Sequence, residues 1–235
     1  MMEEQNKIEK IRNHFEEEAK EFDEIILKLI PFYEEMIEAL VLSIPFEKES
    51  EIEVIDLGCG TGTILKNIKH HFPNAKLTAL DLSKNMIEMT KLKLDGYDEV
   101  EYYVEDFYDF DFPKKYDVIV SSLALHHLIT DEDKKMFYNK IYNALSQDGF
   151  FYNADVVLGS NNEIQDVYMN KWIEFMRKNC SMQEIEQKWL PKYREEDSPT
   201  TLFNHLNWLK KIGFKDIDVI WKYYNYSVYG GKRKY

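Results

Sequence analysis

A glycine-rich segment directly after an apolar run is the strongest chemical signal in this chain. The run Val54–Leu57 leads into Gly58, Gly60 and Gly62, and a helical pattern follows. Glycine lets a ligand approach the backbone closely, and the start of a helix offers unpaired N–H groups and partial positive charge. The segment therefore predicts a loop that binds the charged end of a small ligand.

The spacing of these glycines distinguishes between kinds of ligand. A dinucleotide site has the pattern G-x-G-x-x-G, which from Gly58 would put its last glycine at the position of Thr63. The observed pattern is G-x-G-x-G, and no Gly-Lys-Ser/Thr of a Walker loop follows it. The loop thus suits the carboxylate end of an amino-acid-like ligand better than a pyrophosphate.

Two carboxylates follow the next two predicted strands. Asp81 ends the second strand, where it could accept both hydrogen bonds of a ribose diol; the alternative is that it only caps the next helix, for which Ser83 is also available. Asp106 follows the third strand and could accept from an adenine amino group, while Phe107 or Met86 covers the ring. A plain surface carboxylate is the alternative reading of Asp106.

Two adjacent histidines after the fourth predicted strand are candidates for a general base. The side chains of His126 and His127 diverge, so we expect only one of them to face a ligand. Histidine titrates near neutral pH, although it could instead only fix the loop by hydrogen bonds. Asp155, at the end of the fifth strand, could orient the base or bind a cationic substrate. The three residues could also ligate a metal, but their spacing does not demand one and we expect none.

Strand and helix patterns alternate from residue 52 onward, which is typical of βαβ units and a parallel sheet. Residues 3–43 predict two helices, and the two runs at the carboxyl end predict an antiparallel hairpin at the sheet edge. The predicted strands are Ile52–Leu57, Lys76–Asp81, Val100–Val104, Tyr116–Ser121, Gly149–Asp155, Asp216–Tyr224 and Tyr226–Gly230. The predicted helices between them are Ile64–Phe72, Lys84–Leu94, Asp131–Leu145 and Leu202–Ile212.

The ordered set of motifs resembles the class I S-adenosylmethionine-dependent methyltransferases that act on small molecules. The matching segments are Glu53–Gly62, Leu80–Ile87, Val104–Phe107 and Tyr116–Leu128, with the turn Gln147–Gly149 before the fifth strand. The resemblance implies a doubly wound α/β fold with a seven-stranded, mostly parallel sheet. Its implied strand order is 3-2-1-4-5-7-6, with strand 7 antiparallel, and its implied cofactor is S-adenosylmethionine.

The resemblance also implies roles for individual residues. Asp56 would steady the glycine loop and the amino end of the cofactor, and Asp81 would hold the ribose. The glycines would pass beneath the methionine part, and Ser121 or Ser122 would offer backbone contacts to the amino group. The residues expected to bind the cofactor are Asp56, Gly58, Cys59, Gly60, Gly62, Asp81, Leu82, Met86, Asp106, Phe107, Ser121 and Ser122.

Helical segments outside the core are expected to close the substrate pocket. Residues 1–48 would form an N-terminal helical lid, residues 49–159 and 202–235 the Rossmann-like core, and residues 160–201 a helical insertion before strand 6. Aromatic side chains in these segments pack helices together or contact the substrate. Those expected to line the substrate pocket are Phe22, Tyr33, Tyr168 and Trp172.

Composition narrows the choice of partners. The 235 residues, 44% hydrophobic, suit one α/β domain with an insertion. A net charge of −13 argues against nucleic acid, because phosphate binding needs a surface rich in Lys and Arg. Cys59 and Cys180 are too few for a disulfide framework. With no signal-peptide pattern and no uncharged apolar span, we expect a cytoplasmic monomer or homodimer that binds no membrane.

These observations predict an enzyme that moves a methyl group from S-adenosylmethionine to oxygen, nitrogen or sulfur of a small molecule. Two alternatives remain open. One is a non-methylating enzyme that uses the same cofactor on the same scaffold, and the other is a protein that senses the cofactor without turnover. Product analysis separates the first alternative, and a pocket with no room beside the methyl group would favour the second.

Overall fold

A seven-stranded sheet forms the centre of the protein in a computed structural model that describes residues 2–234, with side chains from residue 5 onward. Strands β1 to β5 run parallel, and β7 is antiparallel to both β5 and β6. The strand order β3-β2-β1-β4-β5-β7-β6 confirms the predicted fold class. The strands are β1 (Glu53–Leu57), β2 (Lys76–Asp81), β3 (Val100–Val104), β4 (Tyr116–Ser122), β5 (Leu145–Val156), β6 (Lys215–Tyr223) and β7 (Tyr226–Lys232).

Helices cover both faces of the sheet, and three of them, α1 to α3, come before the first strand in the chain. A short 3₁₀ turn, Leu125–His127, follows β4, and a π-helical turn, Ile185–Trp189, joins α8 to α9. The helices are α1 (Met2–Glu18), α2 (Phe22–Leu29), α3 (Tyr33–Leu42), α4 (Thr63–His71), α5 (Lys84–Lys93), α6 (Asp131–Ala144), α7 (Asn162–Met176), α8 (Met182–Glu184), α9 (Leu190–Glu196) and α10 (Leu202–Ile212). In the described part of the chain, no helix has the length and apolarity needed to cross a membrane.

Alternating side chains of the strands supply two apolar cores. Val54 of β1 packs on one face with residues of α3 and α4, such as Leu40 and Leu65. Its neighbour Ile55 packs on the other face with residues of α6 and α10, such as Ile141. Because successive strand residues point to opposite faces, a nearly continuous apolar run is what a strand covered on both sides requires.

The N-terminal segment forms three helices, so the expectation of two helices is wrong. Pro31 separates α2 from α3, because proline lacks the N–H that a helix needs. Phe32, which follows it, has a φ of 56°. The additional break lies at residues 19–21. No glycine or proline marks that break, so the residue pattern contains no signal for it.

Strand β5 begins four residues earlier than expected. The segment Gln147–Gly149, predicted to be a turn before the strand, lies inside β5. The pairing of β4 with β5 shifts register between Tyr116 and Val118, and Asp148 has a φ of 61°. The turn residues are therefore accommodated as an irregularity within a longer strand, as in a β-bulge.

Helix α1 connects the insertion segment to the core. The Lys7 ammonium donates to Ser198 Oγ (2.8 Å), and the Glu16 carboxylate accepts from the backbone N–H groups of Lys84 (2.6 Å) and Asn85 (3.2 Å) at the start of α5. A carboxylate is stabilised at a helix N-terminus by its unpaired N–H groups. The division into a lid, a core and an insertion at residues 48, 159 and 201 stays a prediction.

Candidate active site

A cleft opens where the carboxyl ends of β1, β2 and β4 meet, the place where ligands bind in open α/β sheets. It holds about 930 Å³ of space including its open mouth. Most of the predicted cofactor residues line it. These are Asp56, Gly58, Cys59, Gly60, Asp81, Leu82, Met86, Asp106, Phe107 and Ser122.

The glycine loop is tied to β2 and passes close to the loop after β4. The N–H groups of Gly58 and Cys59 both donate to the carbonyl of Leu80, at 2.8 and 2.9 Å. Gly58 has a φ of 74°, and a Cβ added to it would lie 2.3 Å from the Cβ of Ala124. Only glycine combines this backbone conformation with this close approach.

Asp81 joins the glycine loop to the start of α5. Its two carboxylate oxygens accept hydrogen bonds from the backbone N–H groups of Gly60 (2.8 Å) and Ser83 (2.9 Å). Burial raises the pKa of Asp81 to about 6, although these two N–H groups oppose the shift. Ser83 caps α5 as predicted, because its hydroxyl accepts from the N–H of Met86. Asp81 therefore organises the loop and also lines the cleft.

Asp56 is a buried carboxylate in the cleft wall. Neither of its side-chain oxygens accepts a hydrogen bond from the residues that the structure describes. Burial raises the pKa of Asp56 well above its ordinary value, and the nearby charge of Asp81 adds to the rise. An uncompensated buried carboxylate is costly, so this position suits the ammonium group of a ligand.

The far end of the cleft carries a carboxylate beside aromatic rings. Asp106 accepts from the backbone N–H of Tyr108 at 3.0 Å, and burial raises the pKa of Asp106. The ring of Phe107 packs against Phe137 with centroids 5.1 Å apart, and Met86 is buried. Apolar surface with a few polar groups is typical of sites for flat ligands such as adenine.

Gly62 and Ser121 do not appear among the described residues that line the cleft. A Cβ on Gly62 would lie 2.8 Å from a methyl carbon of Thr90 on α5. The hydroxyl of Ser121 donates to the carbonyl of Leu57 at 2.6 Å. The contacts of both residues therefore hold the framework of the loop and strands together.

A second cavity adjoins the cleft. The two share Phe15, Phe22, Leu123 and His127 as lining residues. The wall of the second cavity is mainly aliphatic and aromatic, with several charged and polar side chains. Its further lining residues are His14, Glu18, Ile25, Ile26, Leu29, Ile30, His126, Val156, Trp172, Trp189, Lys192, Tyr193, Glu196, Asp197 and Tyr226.

The predicted substrate residues fall in different places. Phe22 lines both cavities, Tyr33 lines the cleft, and Trp172 lines the second cavity. The indole N–H of Trp172 donates to the carbonyl of Leu29 at 2.8 Å, which joins α7 to α2. Tyr168 is not among the described lining residues of either cavity; its hydroxyl accepts from Lys222 at 2.8 Å.

The structure distinguishes the two histidines clearly. His126 lies between two carboxylates, with Nδ1 2.6 Å from Asp155 and Nε2 3.4 Å from Asp197. Burial alone would lower the pKa of His126, but these carboxylates raise it to about 10. Burial lowers the pKa of His127 to about 3, with the neighbouring charge of His126 acting in the same direction. His127 is thus neutral at pH 7, and of the pair it is the one that borders both cavities.

Several site residues have no signal in the sequence. Ile8, Ile11 and Phe15 of α1 line the cleft, although α1 reads only as a polar helix. Asp197, in the loop after α9, reaches the histidines. A loop aspartate far along the chain has no local feature that marks it as part of a site.

Residues 54–149 match the family model described as a methyltransferase domain. The chain thus contains a methyltransferase domain over residues 54–149, and its strand order is that of the class I S-adenosylmethionine-dependent methyltransferase fold.

Named proteins of two kinds are similar to the chain. It is 26% identical over 224 residues to carboxy-S-adenosyl-L-methionine synthase of Nautilia profundicola, with 94% of each chain covered. It is 27% identical over 156 residues to malonyl-[acyl-carrier protein] O-methyltransferase 1 of Ilyobacter polytropus, covering 66% of this chain and 53% of that protein. The solved structure of human N-acetylserotonin methyltransferase in complex with SAM shares the fold, with a TM-score of 0.59 and 15% identity. That match covers 85% of this chain and 52% of the human chain.

Proposed function

We propose that this protein binds S-adenosylmethionine in the cleft and transfers its methyl group to oxygen, nitrogen or sulfur of a small molecule in the second cavity. The observation that carries this proposal is that the two cavities meet, with Phe15, Phe22, Leu123 and His127 lining both. The sulfonium supplies an activated methyl group, so the protein mainly has to align the acceptor and exclude water. Such alignment can lower a barrier by roughly 7–11 kcal/mol.

The residues of the cleft fit the parts of the cofactor. The unpartnered carboxylate of Asp56 suits the ammonium group of the methionine part. Asp81, at the end of β2, is available to the ribose hydroxyls beside the hydrogen bonds that it already accepts. Asp106 and Phe107 suit the adenine amino group and ring. The positive charge of the sulfonium also agrees with a lining that contains several carboxylates.

The second cavity suits an acceptor with an apolar body and a polar group at one end. Trp172, Trp189 and Tyr226 offer broad apolar surfaces, which favour planar ligands. Nδ1 of His127 and Oδ1 of Asp197 lie 3.7 Å apart among its polar residues. The neutral imidazole of His127 has a lone pair to offer, so it can accept a hydrogen bond that orients the acceptor, whereas its lowered pKa disfavours uptake of a proton.

Modification of the cofactor itself is the second candidate, favoured by relatives of nearly full length that are named carboxy-S-adenosyl-L-methionine synthase. A carboxyl group added at the methyl position would place an anion beside the cleft. The cleft already has four carboxylates, Asp56, Asp81, Glu105 and Asp106, and its described lining contains no lysine or arginine. The second cavity, which the methyl group would face, contains Lys192 and the protonated His126 as well as Glu18, Glu196 and Asp197, so product analysis decides between the two reactions.

A cofactor sensor without turnover is supported less well. The second cavity leaves space for another molecule directly beside the cleft. A sensor does not need such a space, whereas an enzyme that transfers a group from a cofactor to an acceptor requires it.

Calorimetric titration with S-adenosylmethionine tests the cofactor site. We expect micromolar binding, strongly weakened in Asp81→Ala because the loop loses its acceptor and the ribose its partner. Asp98→Ala, which removes an exposed carboxylate, is the matched control and should bind like the wild type. Absence of binding by the wild-type protein would overturn the proposal.

Mass spectrometry of the products separates the candidates. Incubation with an acceptor library should convert S-adenosylmethionine to S-adenosylhomocysteine and add a methyl group to the acceptor. A carboxylated form of the cofactor would instead establish the second candidate.

A further inference from the structure

We propose that His126, His127 and Asp197 bind a divalent transition-metal ion at the wall of the second cavity. Each residue offers one donor atom, and these three atoms all lie within 4.8 Å of one another. All three residues line the second cavity. Two imidazoles and one carboxylate form a ligand set used for Zn²⁺ and Fe²⁺ in sites that keep a position open.

The distances between donor atoms are close to those that an ion requires. Nε2 of His126 lies 3.4 Å from Oδ1 of Asp197, and Nδ1 of His127 lies 3.7 Å from the same oxygen. Ligand atoms held about 2.0–2.2 Å from a tetrahedral ion are roughly 3.3–3.6 Å apart. Nδ1 of His127 also lies 3.4 Å from the carbonyl oxygen of Glu196, so binding of the ion requires the His127 ring to turn away from that carbonyl.

A second layer of contacts already orients one of the ligands. Nδ1 of His126 lies 2.6 Å from Asp155, which leaves Nε2 directed toward Asp197. Asp155 is held in turn by the side-chain amide of Asn153 (3.2 Å) and the backbone N–H of Val156 (2.9 Å). A carboxylate behind a histidine is the usual support of a metal-bound imidazole.

The local charge also suits a divalent ion. Asp155 is buried and Asp197 is largely buried, and the two carboxylates flank the same imidazole. A proton on His126 balances one negative charge, whereas a divalent ion balances both. The competing explanation is that His126 is only an imidazolium that clamps the loop after α9 to the core.

An ion at this position would lie beside the residues that the two cavities share. The ion could coordinate an oxygen of the acceptor and orient that oxygen toward the methyl group. It could also favour loss of the proton that the oxygen carries. This role rests on the proposed function, but binding of the ion does not.

Metal binding is tested directly on the full chain after removal of metals with a chelator. Titration with Co²⁺, followed by visible absorption, and equilibrium dialysis with Zn²⁺ should each show one tightly bound ion per chain. Asp197→Asn and His127→Ala should lose this binding. Asp155→Asn should weaken it by about 10–100-fold, as expected for a supporting residue.

The chain provides its own control in a second pair of adjacent histidines. His70 and His71 lie at the end of α4, outside both cavities, so the double variant His70→Ala/His71→Ala should bind the ion like the wild type. Circular dichroism and urea unfolding verify that each variant is folded. Absence of bound ion in the wild type, or binding that survives Asp197→Asn and His127→Ala, would leave His126 as a clamp and overturn the proposal. A protein that binds the ion but not S-adenosylmethionine would refute the proposed function alone.

Discussion

Two buried carboxylates in the cleft wall carry a stability cost that a ligand can relieve. Asp56 has no hydrogen-bond partner among the described residues, and Asp81 accepts two backbone hydrogen bonds. Burial raises the pKa of both groups. The folded protein therefore holds their protons more tightly than the unfolded chain does.

Stability without ligand should consequently fall as pH rises. For Asp81 the decline begins near its unfolded pKa of 3.8 and is complete above its folded pKa of about 6. The sign follows because the folded state binds more protons in this window, and the size is of the order of 3 kcal/mol. Chemical unfolding at a series of pH values measures this decline, and Asp56 should add to it.

Replacement of Asp56 by Asn separates stability from binding. At pH 8 we expect Asp56→Asn to unfold at a higher denaturant concentration than the wild type, because Asn cannot carry the negative charge that burial disfavours at this position. We also expect its affinity for S-adenosylmethionine to fall at least tenfold, because the ammonium group loses its counter-ion. Asp98→Asn, at an exposed site, should change neither quantity. A variant that is no more stable and binds equally well would contradict this account of Asp56.

At the scale of the element, the glycine loop is defined by its close approach to the loop after β4. The φ of Gly58 is 74° and that of Gly96 is 86°, so both lie in the left-handed region. An added Cβ would meet Ala124 at 2.3 Å in the first case and no atom within 4 Å in the second. The two positions share one backbone requirement and differ in the space available.

The substitutions Gly58→Ala and Gly96→Ala therefore isolate the steric contribution. Both should lose about 1–2 kcal/mol of unfolding free energy from the backbone conformation. Gly58→Ala should lose more, because Ala124 and the loop must move, and it should also bind S-adenosylmethionine weakly. Urea unfolding and calorimetry measure the two effects. Equal losses in the two variants would show that the contact with Ala124 is unimportant.

At the scale of the whole molecule, α1 closes the site from outside the sheet. It contributes Ile8, Ile11 and Phe15 to the cleft, while polar contacts from Lys7 and Glu16 attach it to the remainder. Part-buried pairs join α1 to α9 as well, His14 with Glu196 and Glu18 with Lys192. Ligand in the cleft would give the apolar residues of α1 additional surface to contact.

Binding of S-adenosylmethionine should thus protect α1 from proteolysis. Trypsin cleavage after Lys7, Lys10 and Arg12 should slow several-fold when the cofactor is present, because cleavage requires α1 to open. Cleavage at Lys210 and Lys211, exposed in α10, serves as the internal control and should not change. Equal rates at α1 with and without cofactor would show that α1 does not close over it.

Most of the sheet architecture follows from local patterns. Apolar runs such as Val54–Leu57 and helical spacing such as that of Phe137 and Ile141 define elements that the structure contains. The predicted element boundaries were wrong where local signals were missing or misleading. These places are the break near residue 20 and the start of β5. A register irregularity depends on the partner strand, which is not visible in the pattern of one strand.

The sequence by itself determined the scaffold, the glycine loop and the carboxylates at the strand ends, because each depends on neighbouring residues or on parallel strands that end at one edge. Only the tertiary structure decided which histidine borders both cavities and that Asp197 contacts the pair. It also showed that α1 lines the cleft and that Gly62 and Ser121 support the framework instead. Contacts between distant segments arise from the packing of whole elements, so no local spacing of residues encodes them.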